Sequence, residues 1–221
     1  MSADITLRKG LTIPMSGMAD LNISSADIAD NFVIYPHDFH GVVPKMLLKE
    51  GEAVLQGQPI FYSKANPEIK FVSPVSGTLT TIERGAKRRI MSLSITADGK
   101  DNAVVHKLEK LDKMEAADVK KYLLESGCWP FVKQRPYDVI ADPTSMPKAI
   151  FISGFSTAPL AADVPFILSS QKEDFQNGID VLAKLAPKVH LSVDASSVSF
   201  LNEVSNAEVH RFKGPHPAGN V

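Results

Sequence analysis

Residues 50–77, EGEAVLQGQPIFYSKANPEIKFVSPVSG, decide the fold of the first part of the chain. Two similar strand-and-turn modules follow each other in this stretch. In the first, a glycine-bounded turn over Gly51–Gly57 precedes the apolar strand Ile60–Tyr62. In the second, the turn Ser73–Gly77 precedes another strand over 78–82. Short strands separated by Gly and Pro in this way predict a small all-β barrel or sandwich.

The spacing resembles the barrel-sandwich hybrid fold of lipoyl and biotinyl carrier domains, which carry a modified lysine on the hairpin between their halves. Lys64 lies in the corresponding hairpin. It stands further from Ser73 than the carrier pattern requires, and Pro67 reshapes the turn because proline fixes φ and lacks a backbone donor. We therefore predict a solvated turn lysine without a covalent cofactor. A carrier module that uses this hairpin is the alternative.

The whole chain predicts an α+β multidomain protein. An irregular lead-in over 1–30 precedes the barrel-sandwich hybrid domain, which we place at 31–100. A polar connector and a helix follow over 101–124. Strand and helix patterns then alternate over 125–221, which predicts a Rossmann-like α/β domain with a parallel sheet and right-handed crossovers.

Apolar periodicity places the elements of this second domain. Ala149–Ser153 is a continuous apolar run, as expected of a strand covered on both faces. Lys172–Ala186 has its apolar residues at helical spacing, and Pro187 ends it. Strands are expected over 188–193 and 207–212, and a short helix over 197–204.

A parallel sheet of this type binds ligands beyond the carboxyl ends of its strands. Here those ends are followed by three segments rich in glycine, proline and hydroxyl side chains: 154–159, 194–197 and 214–219. No G-x-G-x-x-G sequence follows any of the strands. The backbone approach that a dinucleotide pyrophosphate needs is therefore not indicated.

Composition excludes several classes of protein. The chain has 221 residues, 24 basic and 25 acidic, with a net charge of −1, so it has no global field for nucleic acid. The basic cluster Arg84–Arg89 is interpreted either as a solvated hairpin tip or as a contact for an acidic partner surface. No apolar run approaches the roughly 20 residues that span a bilayer, and no signal peptide is recognisable.

Cysteine and histidine offer little redox or metal chemistry. The single cysteine, Cys128, excludes disulfides and a self-contained iron–sulfur cluster, and next to Trp129 it is expected to be a small buried hydrophobe. His37 and His40 lie three residues apart without further ligands. Because a metal site needs three or four ligands within reach of one point, no metal site is expected. His216, between two prolines, suits either a functional position or a tight domain junction.

Five segments, spread over most of the chain, resemble one family. They are RGAKRRIMSLSI (84–95), ESGCWPFVKQRPYD (125–138), PKAIFISGFSTAPLAAD (147–163), FQNGIDVLAKL (175–185) and GPHPAGNV (214–221). They resemble the A subunits of sodium-translocating NADH:quinone reductases, the NqrA family. This family is related to RnfC-type proteins and to the FMN-binding subunit of respiratory complex I.

The resemblance implies a peripheral subunit on the cytoplasmic side of the bacterial inner membrane, which assembles with the other subunits of the reductase. NADH, FAD, FMN and iron–sulfur centres are then expected in partner subunits, with no cofactor in this chain and quinone as a candidate ligand. Family members are longer, so the chain is expected to stop before further C-terminal domains. The isolated chain is not expected to catalyse NADH oxidation.

The segment Ser126–Tyr137 corresponds to the glycine-rich FMN loop of the complex I relative, but it has one glycine, two prolines and three aromatic residues. We therefore expect neither FMN nor NADH in that cleft, and bulky rings in its place. A nucleotide in the second domain stays the alternative.

The same segment is the candidate quinone site, because aromatic faces can hold the ring while cations polarise its carbonyls. The candidate residues are Trp129, Phe131, Lys133, Arg135 and Tyr137. The competing interpretation is structural: the rings pack under the sheet and Arg135 pairs with a carboxylate.

The hairpin lysine leads to a first prediction. The intact mass of the purified chain should equal that of the unmodified sequence, because Lys64 lies out of register for attachment. Mass spectrometry measures this directly, and Lys64→Arg provides a matched chain that cannot be acylated. An added lipoyl or biotinyl mass that disappears in Lys64→Arg would favour the carrier instead.

Overall fold

The structure, a computed structural model, describes residues 2–17, 19–27, 29–106 and 113–219. Its strands are, in chain order, β1 (Asp4–Thr6), β2 (Asn31–Ile34), β3 (Pro44–Met46), β4 (Ala53–Val54), β5 (Pro59–Ser63), β6 (Lys70–Val72), β7 (Gly77–Arg84), β8 (Ile90–Ala97), β9 (Lys133–Gln134), β10 (Val139–Ile140), β11 (Ile150–Ser153), β12 (Val189–Asp194) and β13 (Glu208–Lys213). Its α-helices are α1 (Ala116–Glu125), α2 (Val164–Ile167) and α3 (Lys172–Ala183). Short 3-10 helices occupy Pro36–Asp38, Ala86–Arg88, Trp129–Phe131 and Phe200–Glu203. None of the helices in these ranges has the length and apolar character needed to cross a bilayer.

The chain divides into two compact units. Ser25–Ser145 forms one, the barrel unit, and Met1–Ser24 together with Met146–Val221 forms the other, the α/β unit. The division differs from the predicted boundary at residue 125, because α1 and the segment after it group with the barrel. The lead-in differs as well: β1 joins the sheet of the α/β unit through parallel pairing with β13.

The barrel unit contains two larger antiparallel sheets, with strand orders β2-β8-β7-β4 and β3-β5-β6, and the two-stranded antiparallel sheet β10-β9. The predicted all-β architecture of this part is confirmed. Phe61 lies fully buried in its core and stacks on Phe71, with ring centroids 4.4 Å apart. Phe39 meets Phe71 edge-on at 4.6 Å. Such aromatic pairs add about 0.5–1.5 kcal/mol to the free energy gained by area burial alone.

The basic cluster lies at the tip of the β7–β8 hairpin. The 3-10 helix Ala86–Arg88 makes the turn, and the Gly85 backbone N–H donates to the Arg89 carbonyl at 2.8 Å. All four cationic side chains are exposed: Arg84, Lys87, Arg88 and Arg89. The prediction of a charged hairpin tip is confirmed.

A close approach joins α1 to the barrel. Gly127 ends the helix with φ +74, and a Cβ at this position would lie 2.4 Å from Val72 Cγ1. Both the backbone conformation and the contact therefore favour glycine. This contact holds the segment after α1 against β6.

The α/β unit has one parallel sheet of order β1-β13-β12-β11, with α3 between β11 and β12 in the chain. The predicted strand–helix order and parallel pairing are confirmed. The predicted short helix near 197–204 is the 3-10 helix Phe200–Glu203. Leu191, Val193 and Leu201 form the centre of the core under this sheet.

Strand β11 corrects one expectation. It alternates between partly buried and exposed residues, and Phe151 is 58% exposed, so it is not covered on both faces. The helical segments α2, α3 and Phe200–Glu203 all contribute side chains to the core on the Leu191 face. The opposite face carries Phe151 and polar side chains of β12 and β13.

A pair of phenylalanine variants tests the barrel core. Phe61→Ala should lower the free energy of unfolding by about 3–5 kcal/mol, because it leaves a cavity in a fully buried site. Phe131→Ala removes a ring that is 76% exposed and should change stability by less than about 0.5 kcal/mol. Urea unfolding followed by circular dichroism measures both. Equal losses in the two variants would contradict the described core.

Candidate functional site

The carboxyl ends of the parallel strands meet the segment 214–219, as predicted. The Ser153 hydroxyl donates to the Gly219 carbonyl at 2.6 Å, and the Thr157 hydroxyl donates to the Ala218 carbonyl at 2.6 Å. Thr157 Oγ1 also lies 3.2 Å from His216 Nδ1. These hydroxyls tie the strand-end segments 154–159 and 214–219 together.

The N-terminal lead-in also contacts the segment 214–219 at the carboxyl ends of the parallel strands. The Leu11 backbone N–H donates to the His216 carbonyl at 2.9 Å, and a Cβ at Gly10 would lie 2.1 Å from the same oxygen. His216 is therefore held by backbone and side-chain contacts within the α/β unit. Because all of these contacts lie within one unit, both interpretations of His216, a functional position and a tight domain junction, stay predictions.

A cavity of about 300 Å³ opens at this edge, lined in part by Phe155, Asp194 and Lys213. Asp194 Oδ1 accepts hydrogen bonds from the backbone N–H and hydroxyl of Ser196 at 2.8 and 2.7 Å, which shapes the loop after β12. The cavity contains apolar surface with an anion and a cation at its margin.

The aromatic segment after α1 forms a projecting hairpin in the barrel unit. The 3-10 helix Trp129–Phe131 leads into β9, which pairs antiparallel with β10. Trp129 is buried, and its Nε1–H donates to the Ala141 carbonyl at 2.8 Å. The Ala141 N–H donates to the Val132 carbonyl at 2.8 Å, which closes the base of the hairpin. Trp129 thus anchors the element that displays the other candidate residues.

The remaining candidates point into solvent around this hairpin. Phe131 and Tyr137 are 76% and 74% exposed, and Lys133 and Arg135 are exposed as well. The structure therefore brings these four residues onto one projecting element but does not enclose them with Trp129 in a pocket. The rings of Phe131 and Tyr137 both face away from the core.

Two further expectations for this segment change. The competing interpretation put the rings under the α/β sheet, whereas Trp129 packs in the barrel unit, next to the contact between Val72 and Gly127. Cys128 is exposed rather than a buried hydrophobe. Helix α1 ends at Glu125, and the chain then turns so that Gly127 and Trp129 are buried while Cys128 is exposed.

Lys64 lies at the end of β5 rather than at the tip of its turn. Its backbone N–H donates to the Val43 carbonyl at 2.8 Å, and its side chain is exposed. The turn itself is closed by Asn66, whose N–H donates to the Ser63 carbonyl at 3.1 Å and whose Oδ1 accepts from the Glu68 N–H at 3.2 Å.

A cluster of two histidines and a glutamate lies on the face of the α/β sheet opposite the hydrophobic core. His190 of β12 is paired with Glu208 of β13, and His210 follows two residues later on the same face. His190 Nδ1 lies 2.9 Å from His210 Nε2. Burial lowers the pKa of His210 and the charge on a protonated His190 lowers it further, whereas Glu208 acts in the opposite direction.

Comparison with known proteins identifies the family. Residues 5–98 match the NqrA N-terminal barrel-sandwich hybrid domain, and residues 114–221 match the NqrA second alpha/beta domain. The chain belongs to the NqrA family.

Curated relatives in this family are named as the A subunit of Na(+)-translocating NADH-quinone reductase. The protein of Haemophilus influenzae strain PittGG is 35% identical over 221 residues, which cover 98% of this chain and 49% of the relative. That of Tolumonas auensis is 38% identical over 219 residues, with 97% and 49% covered. That of Neisseria gonorrhoeae strain NCCP11945 is 35% identical over 218 residues, with 97% and 49% covered. The chain spans about half the length of the curated relatives it matches.

Membership of the NqrA family agrees with the two-unit architecture. The first matched region covers the two larger β-sheets of the barrel unit, and the second covers α1 and the elements from β9 to β13. The second matched region thus begins before the compact α/β unit does, since α1 and the aromatic hairpin pack with the barrel.

The histidine–glutamate cluster was not predicted from the sequence. One signal was present: Glu208 and His210 lie two apart in a strand, so they share a face of the sheet. Their pairing with His190 depends on the register of β12 against β13, which local sequence patterns do not reveal. His37 and His40, the pair considered first, are not brought together with a third ligand in the part of the chain that the structure describes.

Proposed function

We propose that this chain acts as the A subunit in a sodium-translocating NADH:quinone reductase, where it supplies contact surface for assembly and no redox centre of its own. In this proposal it is peripheral and lies on the cytoplasmic side of the membrane. FAD, FMN and iron–sulfur centres belong to partner subunits, which also oxidise NADH. The names of the relatives and the matched NqrA domains support the choice of complex.

The exposed aromatic hairpin is the observation that carries the docking role. Phe131 and Tyr137 each present about three quarters of their surface to solvent. Free exposure of two rings is unfavourable, since burying one such side chain is worth about 1.5–3 kcal/mol. Aromatic residues and arginine are also the types enriched where protein interfaces gain most of their affinity.

The hairpin is held in place before any partner binds. The buried Trp129 fixes the base of the hairpin: its Nε1–H donates to the Ala141 carbonyl, and the Ala141 N–H donates to the Val132 carbonyl. A preformed element loses little conformational entropy on docking, which favours affinity. The exposed Lys133 and Arg135 add positive charge, so the occupant we propose is an acidic, ring-accepting surface on another subunit of the same reductase.

The absence of a flavin in this chain is part of the proposal. The segment Ser126–Tyr137 has one glycine, and that glycine packs against Val72 instead of leaving its backbone open to a phosphate. The chain's one cysteine is too few for a cluster ligated by cysteine alone. These features support a chain that assembles around redox subunits.

The docking role predicts the behaviour of a double variant. Phe131→Ala with Tyr137→Ala should weaken association with the remaining reductase subunits by about tenfold or more, because it removes both rings of the interface. Retention of this chain during affinity purification of the complex measures the effect. Val198→Ala, at a residue 92% exposed in the α/β unit, is the matched control and should leave retention unchanged. Unchanged retention of the double variant, with its fold intact by circular dichroism, would disprove the docking role.

Quinone contact at the same hairpin is the second candidate, favoured by the exposed rings beside Lys133 and Arg135. Because the hairpin encloses no pocket with Trp129, it can hold quinone only together with a partner surface. In the assembled complex, a photoreactive quinone analogue should label a peptide that contains residues 129–137, and excess quinone should suppress the labelling. Labelling confined to other subunits would reject quinone contact and leave the docking role standing.

A further inference from the structure

Three metal-ligating side chains share one face of the α/β sheet. The register pairs His190 with Glu208 and Ser192 with His210, so both histidines and the carboxylate project to the side opposite Leu191 and Val193. They lie on two adjacent, hydrogen-bonded strands. Sites built on strands hold their side chains more rigidly than sites built on loops.

The separations of the three ligand atoms match a metal site. His190 Nδ1 lies 2.9 Å from His210 Nε2, and Glu208 Oε2 lies 3.6 Å from the first and 4.0 Å from the second. Three points at these separations lie on a circle of radius about 2.1 Å, which is within the range of Zn–N and Zn–O bond lengths. An ion at its centre is therefore at bonding distance from all three atoms.

We propose that His190, Glu208 and His210 bind one divalent transition-metal ion, with Zn²⁺ as the best match. Two imidazoles and one carboxylate are a ligand set that zinc uses in proteins, with water or substrate in the fourth position. Neutral imidazole suits zinc and its neighbours in the series better than it suits Mg²⁺ or Ca²⁺, which prefer oxygen. The ion would join β12 to β13 by ligation in addition to their backbone pairing.

The surroundings of the cluster position its ligands. Lys188 Nζ lies 3.7 Å from Glu208 Oε1, the oxygen that does not face the histidines. The Phe151 ring stacks on His190, with centroids 4.9 Å apart and planes 20° apart. The side chains of His190 and His210 are 15% and 17% exposed, so an ion there is shielded but remains within reach of solvent. Such outer contacts orient the ligands of metal sites.

A hydrogen bond between the two imidazoles is the competing explanation of the 2.9 Å contact. That hydrogen bond involves two of the three groups, and Glu208 Oε2 lies within 4.0 Å of both ring nitrogens. His210 Nδ1 is buried without a hydrogen-bond partner among the described residues, and this holds for either explanation.

Cobalt titration of the tag-free 221-residue chain tests the site, since Co²⁺ substitutes for Zn²⁺ and reports on its ligands by absorbance. We expect one equivalent to bind and Zn²⁺ to displace it. His190→Gln and His210→Gln should each weaken binding by at least about tenfold. His37→Gln is the matched control, because His37 also lies beside a carboxylate, with Nε2 3.8 Å from Asp38 Oδ1. It should bind like the unaltered chain.

A measurement on the unaltered chain makes the test independent of whether the variants fold. Substoichiometric Co²⁺ should broaden the imidazole NMR signals of His190 and His210 before those of the other four histidines, which are His37, His40, His106 and His216. Failure to bind one equivalent, or first broadening of other histidines, would overturn the proposal. Unchanged affinity in a folded His190→Gln or His210→Gln variant would do the same.

Discussion

Side chains of a strand alternate between the two faces of its sheet. This constraint positions both the hydrophobic core of the α/β unit and its histidine–glutamate cluster. In β12 it sends Val189, Leu191 and Val193 into the core and His190 to the opposite face. A shift of register by one residue would exchange the two sets. The hydrophobic core of the α/β unit and its histidine cluster are therefore two consequences of one register.

The same alternation of side chains forms the core of the barrel unit. Phe61 and Phe71 lie on adjacent antiparallel strands and stack across them, which fills the space between the two sheets. Hydrogen bonds of Asn66 to Ser63 and Glu68 close the carrier-like hairpin that follows β5. The Lys64 backbone N–H donates to the Val43 carbonyl at the end of this strand. The fold resembles that of a carrier domain, while Lys64 directly follows the last residue of β5 instead of standing at the tip of the turn.

The two candidate functional regions use different physical means. The aromatic hairpin is anchored by one buried indole and displays its other rings outward, an arrangement that suits recognition of another protein. The His190 cluster gathers nitrogen and oxygen donors around one point on a rigid sheet, an arrangement that suits an ion. Each region lies within one compact unit, so neither depends on how the units are arranged.

Local patterns in the sequence determined the order of the strands and helices, the parallel sheet and the β-rich first part, because glycine, proline and apolar periodicity act over a few residues. The motifs from Arg84 to Gly219 also pointed to the NqrA family. Only the tertiary structure decided to which compact unit the aromatic hairpin belongs. The hairpin is part of the barrel unit, where Gly127 packs against Val72. The tertiary structure also decided that Phe131 and Cys128 are exposed, and that His190 meets Glu208 and His210. These outcomes depend on contacts between residues far apart in the chain, and such contacts follow from packing and strand register rather than from local preference.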